Sequence, residues 1–600
     1  MSEGNQPRPI TYGAIISISH PNDSNFMIFS DGLIKSRVYL KNLHQNIDKK
    51  SSFYRSLFQI YPSFINTYKK DALNTKQEME SPDRARDKKK DNIAELKEKL
   101  TLEYKFNLEH YEKVKNTPIT FDQTVQFLHL ASNKFLACYF VEADIEKENY
   151  KLELADVPSD ATNFKISPSF KHQKESEGVI YYGDLIFIVH ASALLDKIPY
   201  LHCSYYQDQV SAEDRNYQIN IPDFISHSHS FGGGHVTVEV ANKQSVTDNN
   251  MVVASLMSYK NNKREVNLSL EKAVRWRINL FDSAHSDDQF LSYGDIIWLN
   301  HAEQNSTMIC RKQKNDRLEI DFVRSVVSDQ FQQYVGNTNG MWIIEHLDYK
   351  KGGLVPWDQS FRLRHFSSGQ YLTVKFDALN MTYNLRLEPK PTEETKFQFK
   401  LLPTAVKQNS QQQKYISRDA FTLIVNTESR CWLHLEQSGE HLEASLSREP
   451  KDEDVFKIFR ANNNEIWETN FLISCAPMLR NYLDFIRDES KQATLVDDPI
   501  AFRKAERKLK NVQVCLTNLD LFCNNKLLNT SHDQKYGEVN SFRQKVLREQ
   551  YFLEILTEIL KNSFTIFELE KVTLWLYYLI NSTPEIMKSE CLPQEVLKLP

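Results

Sequence analysis

The sequence predicts a multidomain β-plus-α chain, two β-trefoils in series followed by an armadillo-like α-helical solenoid. Three observations predict it. One short strand–turn–strand unit recurs six times over residues 1–460; its apolar period is two; and after Arg460 the period becomes three to four. Three units of about four short strands close one trefoil barrel and leave no open sheet edge, so six units make two barrels.

The unit is clearest in residues 291–371, where it stands twice. Each copy opens on an apolar strand ending in His: Ile296, Ile297, Trp298 and Leu299 run up to His301, then Phe361 and Leu363 up to His365. A polar turn and a second strand follow, as in Ser367, Ser368, Gly369, Gln370, Tyr371, Leu372. An aromatic-x-apolar strand closes each copy, Trp342-Ile343-Ile344 and Phe397-Gln398-Phe399. The same signal opens at Ile15 to His20 and closes near Phe58-Gln59-Ile60. It opens again at Val125 to His129, closing at Phe164-Lys165-Ile166, and at Ile186 to His190, closing at Trp276-Arg277-Ile278. The sixth copy runs from Phe421 to Phe456-Lys457-Ile458 and puts Asn426 where the others have His. A His recurring in one structural slot reads as an imidazole bonding backbone at a strand end. Five equivalent catalytic histidines would make no chemical sense.

These repeats set the expected domains: a first trefoil over 1–283, a second over 284–460, and an armadillo-like helical domain over 461–600. Two insertions interrupt the first. Residues 70–115 include a charged stretch, 83–113, with Ile93, Leu96, Leu100 and Tyr104 in a narrow stripe, which predicts a long solvated helical arm. Residues 205–271 form a polar expansion with His227, His229 and His235 around Gly232, Gly233 and Gly234. No strand-GxxxxGK-helix context surrounds those glycines and no carboxylate or cysteine completes a metal set, so a loop is expected. In the helical part, Trp467, Phe471, Leu472, Cys475, Leu479, Tyr482 and Ile486 recur at helical spacing. A basic run follows at Arg503, Lys504, Arg507 and Lys508, and Phe552, Ile555, Leu556 and Ile559 make an apolar face. Thr565 with Glu568 reads as a capping box, and Thr583-Pro584 as a further helix start. The array stops at Pro600 without a polar cap repeat, so the chain is expected to continue.

Composition narrows the function classes. Over 600 residues the formal net charge is -5 and the pI near 6.4, so no global basic field calls for nucleic acid. Eight cysteines are scattered without CxxC or metal-ligand spacing, which fits a reducing compartment. No signal peptide is expected, and no apolar run reaches the roughly 18 to 20 residues that span a bilayer. No nucleophile–base or paired-carboxylate arrangement stands apart from the repeat, so no catalysis is expected.

The segments YGDIIWLNHAEQ (293–304), SFRLRHFSSGQYL (360–372), FLHLASNKFL (127–136), LHCS (201–204) and RQKVLREQ (543–550) resemble the N-terminal cytosolic region of inositol trisphosphate receptors, with ryanodine receptors as relatives. The resemblance covers the chain apart from its insertions and implies MIR-type trefoil repeats. It implies the ligand-sensing part of a calcium-release channel, working as a homotetramer on the cytosolic face of the endoplasmic reticulum or another calcium store. The pore would lie outside these residues, with no cofactor and inositol 1,4,5-trisphosphate as ligand. Each phosphate carries about -1.5 to -2 charges, so such a ligand needs several converging cations.

By resemblance, Arg543, Lys545 and Arg548 stand on the helical side of a cleft with the second trefoil, and Arg324 on the trefoil side. Lys545 and Arg548, three apart, share a helix face. The chain departs from the family pattern at Ser541, Trp298 and Ser306, where the family has basic residues, and keeps one arginine in its phosphate loop, Arg324-Ser325-Val326-Val327-Ser328. Arg311, Lys312, Lys314 and Arg317 lie near enough in sequence to compensate. Each lost charge-assisted contact costs about 1.5 to 3 kcal/mol. A sensor of inositol trisphosphate and a regulatory scaffold of the same fold that binds protein partners without it are both open at this level.

Overall fold

The computed structural model describes residues 8–33, 36–43, 53–65, 88–175, 178–191, 197–204, 263–282, 289–313, 318–324, 336–402, 414–438, 441–487, 511–512, 514–519, 521–523 and 541–563. The chain divides into two compact units, Met1–Ser286 and Asp287–Pro600.

The first unit holds three four-strand repeats: β1 Ile15–His20, β2 Asp23–Ser30, β3 Val38–Asn42 and β4 Leu57–Pro62; β5 Thr124–His129, β6 Lys134–Glu142, β7 Tyr150–Ala155 and β8 Phe164–Pro168; β9 Leu185–His190, β10 Tyr200–Cys203, β11 Lys263–Ser269 and β12 Trp276–Asp282. The first and last strands of the repeats close on one another in the order β1-β4-β5-β8-β9-β12 and back to β1, all antiparallel. The middle strands form hairpins that cap one end. This is a β-trefoil. Its core is the inward face of the alternating strands, among them Ile16, Ile18, Phe58, Phe127, Phe164, Ile188 and Trp276.

The second unit repeats the plan with β13 Ile296–His301, β14 Ser306–Lys312, β15 Leu318–Arg324 and β16 Trp342–His346; β17 Phe361–His365, β18 Tyr371–Asp377, β19 Thr382–Glu388 and β20 Phe397–Lys400; β21 Phe421–Asn426, β22 Trp432–Ser438, β23 His441–Ser447 and β24 Phe456–Arg460. Its barrel closes through β13-β16-β17-β20-β21-β24 and back to β13.

Two local devices recur. Ahead of the opening strand stands a residue with positive φ, whose N–H donates to the closing strand of its own repeat: Gly13 to Ile60 O, Asp122 to Ile166 O, Gly183 to Ile278 O and Gly294 to Ile344 O, at 2.8 to 2.9 Å. Glycine takes that conformation without steric penalty, and Asp tolerates it better than most residues.

The second device is the strand-end polar group. His129 Nδ1 lies 2.8 Å from Ser132 Oγ and its Nε2 2.9 Å from Arg55 O. His365 repeats this with Ser368 Oγ at 2.8 Å and Asn339 O at 2.9 Å. A carbonyl only accepts, so Nε2 carries the proton and Nδ1 accepts from the serine. Burial holds both rings down at a pKa of about 4, neutral at pH 7. Asn426 does the same work in the sixth repeat: its Oδ1 accepts from Ser429 N and Oγ at 2.9 Å, and its Nδ2 donates to Glu394 O at 2.7 Å. At His129, His190, His365 and Asn426 this slot is therefore a clamp between a strand end and the turn before the preceding closing strand.

The arm is a single helix, α1, Lys88–Val114. Of the expected stripe, Tyr104 is 55% exposed. Its contact with the barrel is made by Tyr111, whose ring lies tilted 4.7 Å from that of Tyr61, and by Asn107, which brackets both backbone groups of Ile65.

After β24 come α2 Asn463–Arg487, α3 Ser541–Glu549 and α4 Phe552–Ser563. Asn462 and Glu465 cap α2 reciprocally, each side chain accepting from the other's N–H at 2.9 and 3.2 Å. The expected helices from Thr565 onward, the run at Arg503–Lys508, the triglycine loop with its three histidines, Lys314, Arg317 and residues 325–328 lie outside the described residues. Among the described residues no helix is long and apolar enough to cross a membrane, and no cluster of side chains is arranged to hold a metal.

Candidate ligand site at the trefoil–helix seam

Helix α3 reads SFRQKVLRE, and its faces are sharply divided. Val546 and Leu547 are buried, Lys545 is half-buried and Arg548 is exposed. The last turn is keyed into the second trefoil. Glu549 Oε2 accepts from Thr338 N at 2.9 Å and Thr338 Oγ1 at 2.8 Å. Gln550 Nε2 donates to Thr338 Oγ1 and Asn339 Oδ1 at 3.1 and 3.0 Å, and Asn339 Nδ2 donates to Glu549 O. Tyr551 then takes φ 58°, a left-handed conformation costing a non-glycine residue about 1 to 2 kcal/mol. That turn carries its hydroxyl to Lys312 N, from which it accepts at 3.0 Å.

The seat for this helix is the 3-10 turn Thr338–Gly340, buried throughout, with Asn337 as its cap. It is supported from below. Trp298 is buried and donates through Nε1 to Asn337 O at 2.9 Å. A Cβ on Gly336 would lie 2.4 Å from the Trp298 ring, so only glycine fits there. The same turn is clamped by His365 through Asn339 O.

The four sequence-predicted cations do not share one location. Arg543 is 2% exposed and turned into the helical core. Its Nε donates to Glu468 Oε1 at 2.7 Å and its Nη1 to Phe522 O at 2.8 Å, with its guanidinium 4.7 Å from the Phe522 ring and 5.6 Å from that of Trp467. Lys545 donates to Gly336 O at 3.1 Å and pairs with Glu549 at 3.5 Å. Arg548 presents its guanidinium to solvent, without an ion-pair partner among the described residues. Arg324, exposed at the end of β15, lines a cleft of about 880 Å³ with Arg311, Phe322 and Glu443. Arg311 there pairs with Asp321 at 3.0 Å. Lys545 and Arg548 are thus brought together on one helix, and no described contact links them to Arg324.

The seam carries acid as well as base. Burial pushes Glu465 up to about 7, the Glu468 charge adding to the rise and Lys545 opposing it. Burial raises Glu468 too, against the pull of Arg543.

Sequence reasoning missed the seat itself. Glu549 and Gln550 stand beside the predicted cations, and Asn337-Thr338-Asn339-Gly340 is a turn signature just ahead of a closing strand. Two of the positions that depart from the family pattern fold inward: Trp298 supports the seat, and Ser306 is buried with its hydroxyl on Gln304 O at 2.9 Å.

These features define a tandem β-trefoil protein with a helical segment keyed onto a turn of the second trefoil. The family model described as inositol 1,4,5-trisphosphate/ryanodine receptor matches residues 5–222, and the MIR domain model matches residues 289–457. The chain is also similar to the inositol 1,4,5-trisphosphate receptor itr-1 of Caenorhabditis elegans, 20% identical over 541 residues. That match covers 79% of the chain and 16% of the relative. Together these matches liken the chain to the N-terminal region of an inositol trisphosphate receptor, and it spans about a sixth of the length of this curated relative. The first of these models and the worm relative are named as receptors.

Proposed function

We propose that this chain is the regulatory, non-catalytic part of an intracellular calcium-release channel, coupling ligand or partner binding at the trefoil–helix seam to gating. The observation that carries the reading is the keyed seam. Lys545 and Arg548 ride on a helix whose last turn is hydrogen-bonded to Thr338 and Asn339, so a charge drawn to that helix acts on the trefoil turn as well. Inositol 1,4,5-trisphosphate is the ligand of choice, with Lys545 and Arg548 as its cations and Arg324 on the trefoil side. Arg543 then organises the helices from within. The remaining parts follow from the receptor likeness. The helices begin an armadillo-like array, the pore lies outside these residues, the assembly is a homotetramer, and this region faces the cytosol at the endoplasmic reticulum or another calcium store.

A second reading has its own support. Trp298 and Ser306 stand where the family pattern is basic, and Arg543 is neutralised by Glu468. On that basis the same fold serves as a scaffold for protein partners that binds no inositol trisphosphate. Calorimetric titration of inositol 1,4,5-trisphosphate separates the two. Saturable binding abolished by K545Q/R548Q supports the sensor, and absence of heat with folded protein supports the scaffold.

A further inference from the structure

The strand-end clamp has a fixed register. Its carbonyl lies three residues ahead of the aromatic of a closing strand: Arg55 before Phe58, Ala161 before Phe164, Asn339 before Trp342, Glu394 before Phe397. For the first repeat that register pairs His20, at the end of β1, with Ala273, three residues before Trp276 and ahead of β12, the strand that pairs with β1. Here, as at His301, whose Nε2 meets no hydrogen-bond partner among the described residues, the clamp is not made. The residues before Trp276 form no 3-10 turn, and the His20 ring is half-buried, its Nδ1 accepting from Asn22 N at 3.4 Å. His20 and Ala273 instead both line an open cleft of about 590 Å³.

The cleft is cationic and partly apolar. Arg264 lies with its guanidinium 5.2 Å from the Phe26 ring, and Arg275 with its own 5.0 Å from Phe170 and 5.9 Å from Phe187. Among the described residues neither arginine has a carboxylate within ion-pair distance, and Leu185 and Phe187 supply an apolar wall. Burial, and then the charge of Arg264, hold His20 below its usual pKa; Asp23 opposes this, its carboxylate accepting from the Asn25 backbone and side-chain N–H groups at 2.9 Å. The cleft volume falls in the range of small-molecule sites, roughly 300 to 1,000 Å³. Two stacked guanidiniums match a phosphomonoester dianion better than a single carboxylate.

We propose that this cleft in the first trefoil binds a small organic phosphate, whose oxygens meet His20 Nε2–H, Arg264 and Arg275 and whose apolar body lies on Leu185 and Phe187. The site is independent of the trefoil–helix seam. It is tested by calorimetric titration of phenyl phosphate and of inorganic phosphate into the whole chain, beside R275E and R264Q/R275Q. Arg275 is exposed, so R275E keeps the fold, as its unchanged melting temperature would verify. The expected result is single-site binding of phenyl phosphate, at least tenfold tighter than inorganic phosphate and weakened at least tenfold by R275E. Binding should also take up protons near pH 6.5, read as a dependence of the heat on buffer ionisation enthalpy. No heat from the folded wild type, or equal titration of R275E and wild type, would overturn the site; equal affinity for the two phosphates would overturn its assignment to an organic ligand.

Discussion

Protonating His365 should loosen the second trefoil, and the size of the effect follows from its surroundings. The ring is 2% exposed, packs 5.3 Å from the Trp342 ring, and uses both nitrogens in the neutral form. Its folded pKa of about 4 lies below its unfolded value of 6.5. The unfolded chain therefore binds more protons between those values, and stability is complete above 6.5 and falls as pH drops toward 4. From pH 7.5 to pH 5 this one group removes about 2 kcal/mol. H365N isolates the effect, because Asn426 shows that asparagine can fill the slot with one acceptor and one donor and no titration. At pH 7.5 H365N should lose no more than about 1.5 kcal/mol, whereas H365A, leaving Asn339 O and Ser368 without their partner, should lose about 2 to 4 kcal/mol. Hydrogen exchange of peptides covering β16 to β18, corrected for intrinsic rate, reads the local stability. The wild type should lose about 2 kcal/mol more than H365N between the two pH values. An equal loss in both would refute the clamp as the source of acid sensitivity.

Three further outcomes follow from the seam. E465Q should stabilise the helical segment by about 3 kcal/mol at pH 8 and little at pH 5, because the raised folded pKa of Glu465 makes stability fall as pH climbs from 4.5 to 7; urea unfolding at both pH values checks this, and an equal effect at each would count against it. R543Q should cost about 3 to 5 kcal/mol by leaving Glu468 buried and unpaired, with much of it recovered in R543Q/E468Q, as a double-mutant cycle would reveal. G336A should destabilise by about 1 to 3 kcal/mol, since the new methyl collides with Trp298; exchange of the Thr338 amide should quicken, and an unchanged rate would mean that the seat does not depend on that contact.

Much of the barrel was legible because its signals are local. Period-two strands, a His or Asn at each strand end and an aromatic at each closing strand place all six repeats, and the clamp at His129, His365 and Asn426 explains why one slot tolerates two residue types. The arm illustrates the opposite case. An apolar stripe marks a helix, but Tyr61 and Ile65 decide which face docks, and they choose Tyr111 and Asn107. The site was legible as charge and not as direction. Sequence spacing puts Arg543 two residues from Lys545, roughly 200° around a helix, so one enters the core to meet Glu468 while the other reaches the seat. The partners that decide this, Glu468 and Gly336, lie 75 and 209 residues away in sequence. No local pattern announces them.

The most direct test of the functional reading is titration of inositol 1,4,5-trisphosphate into the wild type, K545Q/R548Q and R543Q/E468Q, each verified as folded. The account predicts saturable binding by the wild type, retained in R543Q/E468Q because that pair is internal to the helices, and abolished in K545Q/R548Q. Binding that survives K545Q/R548Q, or a wild type that gives no heat, would contradict a phosphate-sensing seam.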